Sequence, residues 1–230
     1  MSHESSTPES ADAHLSALAD AAWTLLASHP LDKIDFVLVA DRAGVPHGLA
    51  AALGGSVQRL ILKKMEMLDR QSLLETHADI EDAGAVSVRE KIIEGLLHRF
   101  ETYAPHRTQI AALNSAARTH PELALRLLDG LEAVIRRILV MSGDPANGLR
   151  GMMRVKGVVG VCMIVARVWM KDDSHDLAAT MKALDQRMQQ AEEWGASLRV
   201  FDRRRAGAPY DEDDGAADSI SGGRYGVDND

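Results

Sequence analysis

The sequence has few aromatic residues, a single cysteine and almost no alternation of β-branched and polar residues. Aromatic residues make up 4% of the 230-residue chain, so Ala, Leu, Met and Val supply most of its 46% hydrophobic content. Without strand-like alternation a β-sheet is not expected, and the helical spacing of the apolar residues predicts an all-α protein. The lone Cys162 excludes an internal disulfide and indicates a reducing cytoplasm.

The common enzyme motifs are also missing. We find no phosphate-binding loop, dinucleotide fingerprint or nucleophile elbow, and no Glu-x-x-His pair of the di-iron helix bundles. Glu94 and His98, four residues apart, are interpreted as a surface pair. Asp172, Asp173 and Asp176 are interpreted as helix-capping residues rather than cation ligands. We therefore predict a protein without catalysis, metal or cofactor of its own.

Both ends of the chain are polar. Residues 1–11 have no apolar run of the kind a secretory signal carries and are predicted to be disordered. Residues 206–230 carry seven acidic residues against one arginine, so they account for most of the formal charge of -8. We predict a disordered acidic tail over residues 202–230. The remainder is nearly neutral, which argues against a broad basic surface for nucleic acid.

The rest of the chain is organised around residues 149–194, which are predicted to form two long helices joined by a polar corner. The first helix, about 149–170, is apolar nearly all round over residues 157–166. This run is too short to cross a bilayer, so we expect a core helix buried on every side. The second helix has one apolar stripe, expected to pack against the first; it consists of Leu177, Met181, Leu184 and Met188.

The N-terminal region has the pattern of a helix-turn-helix. A helix over about 12–28 precedes two short helices, FVLVADRA and HGLAAAL, which Gly44 separates. Asp35 is placed to cap the first short helix, and helix, Gly-containing turn and helix is the plan of this motif.

A longer helix over about 57–76 and an acidic linker over 77–86 follow. We therefore predict an N-terminal part over residues 12–76 and a larger C-terminal helical part over 87–201. The C-terminal part is predicted to begin with helices over about 88–103, 105–119 and 121–141.

The segment ADRAGVPHG, residues 40–48, resembles the helix-turn-helix of the tetracycline-repressor (TetR) family. That family is all-α, with three short helices, a connecting helix and a larger helical part that binds ligand and forms a dimer. The resemblance implies a TetR-like fold for about residues 12–200. It also implies a homodimer through a four-helix bundle of the last two long helices, with Leu177, Met181, Leu184 and Met188 near or in the interface.

A second and more specific resemblance involves the C-terminal helices. Their sequence is similar to a TetR-shaped branch, the lipid-binding accessory family of ubiquinone (coenzyme Q) biosynthesis. The similar segments are YAPHR at 103–107, GLR at 148–150, KG at 156–157, RVW at 167–169, DDSHDL at 172–177 and TMKALDQR at 180–187.

This second resemblance implies a non-catalytic protein that binds an isoprenoid quinone precursor, or a phospholipid, in its C-terminal part. Such a protein helps present the precursor to a ubiquinone-pathway ring hydroxylase, from the cytoplasm or in peripheral contact with the inner face of the membrane. Flexible methionines suit an adaptable lipid lining. The expected lining positions are Leu96, Phe100, Leu131, Ile135, Ile138, Met152, Val159, Met163 and Trp169.

The sequence departs from this family at two points. Eukaryotic members carry an aromatic pair near the start of the long buried helix, where the hydroxylase docks, and Gly151-Met152 stands at about that place here. Those members also end in an amphipathic helix, whereas this chain ends in an acidic tail that anionic lipid would repel. Lipid binding therefore has more support than partner docking or membrane contact.

The alternative is a TetR-type transcriptional regulator that binds DNA as a dimer and takes a small apolar effector. Recognition helices usually present Lys, Arg, Tyr or His to phosphates and bases. Residues 46–55 offer His47 alone, and residues 12–64 carry five acids and five bases. Because DNA binding needs several phosphate contacts, we favour the accessory function. DNA contacts in the alternative would come from His47, Arg59, Lys63 and Lys64.

Overall fold

The computed structural model describes residues 8–82, 84, 86–144 and 147–206, with side chains described between residues 10 and 193 of those ranges. Within them the chain forms nine α-helices and no strand, which confirms the all-α prediction. The helices are α1 (Pro8–Leu26), α2 (Phe36–Ala43), α3 (His47–Gly54), α4 (Val57–Asp82), α5 (Val88–Tyr103), α6 (Arg107–Ala117), α7 (Pro121–Met141), α8 (Gly148–Trp169) and α9 (Ala178–Ala206).

Capping residues set several of these boundaries. Ser87 accepts a hydrogen bond from the Glu90 backbone N–H, and the Glu90 carboxylate accepts one from the Ser87 N–H, so a capping box opens α5. Pro121 occupies the first turn of α7, where its missing N–H costs nothing. Both helices have the predicted bounds.

Three helices are longer than predicted. α1 already begins at Pro8, α4 continues to Asp82 through most of the predicted linker, and α9 continues to Ala206. The acidic composition of residues 77–82 does not break a helix, and the turn comes instead near Gly84, whose φ of +64° suits glycine. The disorder predicted for residues 1–7 and 207–230 lies outside the described residues.

The helix-turn-helix of α2 and α3 is present as predicted. Asp35 accepts a hydrogen bond from the Leu38 N–H at 2.7 Å and so caps α2. Gly44 ends α2 with φ 66°, a left-handed conformation that glycine adopts without strain. The two helices meet at 112°, within the range of this motif. The turn directs α3 away from α2 and exposes one side of it.

The core runs through α4, α5, α7 and α8, while α1, α2 and α3 pack on one another, and α1 and α3 also pack on α4. Gly95 allows α5 to approach both α4 and α7 closely. A Cβ atom there would lie 2.8 Å from Cγ2 of Ile138 in α7 and 3.0 Å from Cγ2 of Thr76 in α4. A larger residue at position 95 would therefore push α5 away from both neighbours.

The chain divides into two compact units after Glu192; the described residues of the second are the C-terminal part of α9. Over the described residues, no single helix has the length and hydropathy of a membrane span. The short helices α2 and α3 meet that criterion only when taken together as a bent pair.

Candidate functional site

Seven of the nine predicted lipid-binding residues lie in the apolar interior of α5, α7 and α8. Six of them are buried and Leu131 is half-buried against them. Trp169 is fixed at the edge of this interior, because its indole N–H donates to the Phe100 carbonyl at 3.1 Å and the two rings lie 5.6 Å apart. The buried six are Leu96, Phe100, Ile135, Ile138, Val159 and Trp169.

The structure does not bring the other two, Met152 and Met163, to this interior. Their side chains are exposed, at 46% and 55%. They lie on one face of α8, away from Val161 and Val165 on its buried side, and Val159 lies at the border between the two faces. The sequence could not predict this orientation. A helix with apolar residues on every side has no periodicity that shows which side faces the core.

This exposed side corrects the expectation that α8 is buried on every side. We define the outer face of α8 as its exposed apolar residues together with Gly157 and Gly160, which have open space beside them. Its apolar side chains are between 37% and 70% exposed. They are Leu149, Met152, Met153, Met163, Ile164 and Val168.

The apolar stripe that leads into α9 is mostly buried within this chain. Leu177, Leu184 and Met188 are buried within it, and of the four predicted interface residues Met181 alone is exposed, at 44%. The first part of α9 is anchored to α5, because Arg89 contacts the Asp185 carboxylate at 2.7 Å. The stripe was correctly predicted to face inward, and Met181 is the one of its four residues that is open to a second chain.

A buried polar cluster lies beside the apolar interior and was missed by the sequence analysis. The Arg99 guanidinium donates through Nε to Asp69 Oδ1 at 2.8 Å and lies over the Tyr103 ring at 4.7 Å. Burial by itself would lower the pKa of Arg99, but the adjacent Asp69 carboxylate raises it above its ordinary value. Burial also raises the pKa of the Tyr103 hydroxyl, which donates to the Met65 carbonyl.

The position of Arg99 within an apolar stripe of α5 was the available signal for this cluster. Its partner Asp69 lies 30 residues earlier in the chain. The two residues become neighbours only because α4 packs on α5, which the sequence pattern does not show. Burial also raises the pKa of Cys162, which favours the protonated and less reactive form of this thiol.

The exposed side of α3 consists of small and apolar residues with one histidine. Gly48, Ala51 and Ala52 are exposed, and His47 Nε2 lies 2.7 Å from Asp41 Oδ1. This surface therefore has few groups that could donate to phosphates or base edges.

Two of the cations predicted to contact DNA are already paired with acids. Lys63 contacts Glu66 at 3.1 Å, and Lys64 contacts Asp20 at 2.7 Å with its side chain 19% exposed. Arg59 is exposed beside Gly55. Pairing reduces the positive charge that this region presents to an incoming phosphate backbone.

The polar residues at the corner between α8 and α9 have a structural role. Asp172, which is 5% exposed, accepts hydrogen bonds from the N–H and hydroxyl groups of Thr180 and from the N–H of Ser174. The Ser174 hydroxyl in turn accepts from the Ala178 N–H. The predicted capping role is confirmed for this corner, although Asp172 is the main acceptor rather than Asp173. These bonds explain the Asp-Asp-Ser segment without a cation.

An open cleft of about 680 Å³ lies between the end of α1 and α6. It is lined by residues 26–32 and by polar side chains including Thr108, Ser115 and His120. None of the nine predicted lipid-binding residues lines it.

Comparisons with known proteins show the fold. No family model matches the chain, and no curated protein matches its sequence. A similar structure is a transcriptional regulator, FadR, from Bacillus subtilis in complex with stearoyl-CoA, with a TM-score of 0.50 and 18% identity over 75% of this chain and 96% of that one. A second is described as a fatty acid metabolism regulator from Clostridium perfringens, with a TM-score of 0.43 and 15% identity over 76% and 96%.

The chain therefore has the all-α fold seen in the Bacillus subtilis regulator. At this level of identity the likeness extends to the fold, and function has to be argued from the site.

Proposed function

We propose that the protein is a non-catalytic homodimer that binds a long apolar chain, acyl or isoprenoid, in its C-terminal helical part. The observation that carries this proposal is the apolar interior between α5, α7 and α8, where six predicted lining residues are buried together. The Bacillus subtilis regulator of similar fold supports it, because that protein was solved with a ligand carrying a long acyl chain.

Lipid extraction from the purified full-length protein, followed by mass spectrometry, tests this proposal. We expect a long-chain lipid that survives purification, or saturable uptake of stearoyl-CoA or a polyprenylated phenol. Leu131→Gln places a polar group at the half-buried edge of the interior and should reduce binding. Leu125→Gln, at a residue of the same helix that is 68% exposed, is the matched control. Equal binding by both variants, or no binding by the wild type, would reject the proposal.

The outer face of α8 supports the homodimer. A row of exposed apolar side chains on a core helix is a surface that soluble proteins usually cover. Gly157 and Gly160 interrupt this row with open space, which lets a second helix approach closely. Met181 is exposed on α9 and adds a further apolar group. We propose that a second copy of the chain covers this face.

Transcriptional regulation is the output that the comparisons support. The similar Bacillus subtilis structure is a regulator of the same fold, and α2 and α3 form the helix-turn-helix that such proteins use. In this form of the proposal the apolar ligand is the effector. Arg42 and Arg59 are exposed at the ends of the motif and would contact the phosphate backbone.

A second candidate output is the accessory role in ubiquinone biosynthesis. The small, nearly uncharged surface of α3 favours it, as does the pairing of Lys63 and Lys64 with acids. In this form the protein stays in the cytoplasm or at the inner face of the membrane. It presents an isoprenoid precursor to a ring hydroxylase instead of reading DNA.

Fluorescence anisotropy with DNA from upstream of the gene separates the two outputs. A regulator should bind this DNA tightly, whereas for an accessory protein the α3 surface predicts weak binding without sequence preference. A tight, salt-sensitive and sequence-dependent complex, weakened by Arg59→Ala, would establish the regulator and reject the accessory role. Co-purification with a ubiquinone-pathway hydroxylase, without such a complex, would support the accessory role.

A further inference from the structure

A histidine surrounded by three carboxylates lies between α4 and α5, away from the apolar interior. His98 Nε2 is 2.7 Å from Asp79 Oδ2 and 3.5 Å from Glu94 Oε1. On the other side of the ring, Nδ1 is 3.5 Å from Glu101 Oε2. The His98 side chain is 15% exposed, so the imidazole is largely shielded while the carboxylates remain in contact with solvent. Acceptors therefore face both ring nitrogens.

The chemistry of the ring makes this arrangement suited to a cation. A neutral imidazole has one N–H donor and one lone pair. In one tautomer Nε2–H donates to Asp79, at the observed 2.7 Å. In the other, Nδ1–H points toward Glu101 and the Nε2 lone pair faces the Asp79 and Glu94 carboxylates, so that a cation bound among these three acceptors offsets their repulsion. A carboxylate behind the second ring nitrogen is the arrangement that orients metal-binding histidines.

The distances suit a small metal ion. The ligand atoms of Asp79, Glu94 and His98 all lie within 4.8 Å of one another. In a tetrahedral zinc site, bonds of about 2.0–2.1 Å place the ligand atoms about 3.3 Å apart. The separation of 3.5 Å between His98 and Glu94 is close to this value. Asp79 would move outward by a fraction of an ångström, which its 55% exposed side chain permits.

We propose that Asp79, Glu94 and His98 bind a divalent first-row transition-metal ion, with Glu101 orienting the imidazole. One nitrogen and two carboxylate donors suit a borderline ion such as Zn²⁺ better than Mg²⁺ or Ca²⁺, which prefer oxygen alone. A solvent molecule completes the coordination. The ion joins the last turns of α4 to α5, so its binding stabilises the fold. Glu94 and His98 form the predicted pair, at 3.5 Å, and the proposal adds a metal ion to it.

Metal titration of the full-length protein, first stripped with a chelator, tests the proposal. Isothermal titration with Zn²⁺ should show saturable binding of one ion per chain, and Co²⁺ should give the visible absorption of a tetrahedral complex. At a free Zn²⁺ concentration about 100 times the dissociation constant, we expect the melting temperature to rise by about 5–10 °C. His98→Ala, Asp79→Asn and Glu94→Gln should each weaken binding at least about tenfold.

His77→Ala is the matched control. His77 also pairs with a glutamate four residues away, Glu81 at 3.5 Å, but the described residues bring no third ligand to that pair. This variant should bind Zn²⁺ as the wild type does. The proposal is overturned if the wild type shows no saturable binding, or if His98→Ala binds as tightly as the wild type. Equal losses in His98→Ala and His77→Ala would also overturn it. Circular dichroism in chelator checks that each variant is folded.

Discussion

Asp172 Oδ2 accepts hydrogen bonds from both the backbone N–H and the hydroxyl of Thr180, at 2.7 and 2.6 Å. One carboxylate oxygen thereby ties the end of α8 to the first turn of α9. Burial would raise the pKa of Asp172, but the hydrogen bonds from Ser174 and Thr180 outweigh it and lower this pKa to about 2. The ionised carboxylate is therefore the form that holds the corner.

Asp172→Asn should destabilise the protein by about 1–2 kcal/mol at neutral pH, because an amide cannot accept all of these bonds. The folded pKa of Asp172 is below its unfolded value, so its contribution is present above about pH 4. It is lost as the pH falls toward about 2. The difference between wild type and variant in urea unfolding should therefore narrow over that window. Asp173→Asn, with a side chain that is 98% exposed, is the control. A pH-independent difference would contradict this account.

The ion pair between Asp69 and Arg99 should be sensitive to the loss of either partner. Both side chains are at most 14% exposed, so a single substitution leaves a buried charge without compensation. We expect Asp69→Leu or Arg99→Met to lower the free energy of unfolding by about 3–5 kcal/mol. The double variant Asp69→Leu with Arg99→Met should recover much of that loss. Denaturant unfolding measures the free energy of unfolding of each variant. A loss in the double variant equal to the sum of the two single losses would contradict the pairing.

Stability should also rise with pH near neutrality because of His106. The Trp23 indole N–H donates to His106 Nδ1 at 3.2 Å, which requires that nitrogen to be unprotonated. Burial, with a smaller effect of Lys64, lowers the pKa of His106. The stabilisation is therefore complete above about pH 6.5 and is lost as the pH falls through the lowered folded value.

Unfolding of His106→Asn between pH 5 and 8 tests this prediction. The asparagine oxygen can still accept from Trp23 but does not titrate, so the variant should have a flatter stability profile than the wild type. Trp23→Phe removes the donor and should flatten the profile as well. Profiles that are parallel to that of the wild type in both variants would contradict the role of this hydrogen bond.

Met163→Glu should convert the proposed dimer into monomer. The substitution places a charge in the middle of the outer face of α8, where a partner would exclude water, and we expect dimerisation to weaken about 100-fold or more. Leu125→Glu introduces the same charge at an exposed residue of α7 and should leave the association unchanged. Sedimentation velocity at micromolar concentration distinguishes the two. A monomeric wild type, or a Met163→Glu variant that remains dimeric, would reject this interface.

The sequence predicted the helices well where local signals set their ends. The Ser87 and Glu90 capping box, the Asp35 cap and Gly44 each act within a few residues, so their effects are visible without the fold. The extension of α4 to Asp82 was missed because an acidic composition was taken for a linker.

The candidate sites were less predictable because they depend on contacts between distant residues. Asp69 with Arg99, and Asp79 with His98, become neighbours through the packing of α4 on α5, which no local pattern specifies. The orientation of α8 was ambiguous for another reason. With apolar residues on all sides, nothing in its periodicity assigned Met152 and Met163 to the outside.

Gly95 has a consequence for the packing of the C-terminal part. Gly95 contacts Ile138 where α5 and α7 are close together. Glycine has a hydrogen atom where every other amino acid has a Cβ atom, so the two helices can come this near. Adding a single methyl group at this point would wedge the two helices apart. The close packing of α5 on α7 at this point therefore depends on the smallest side chain in the protein.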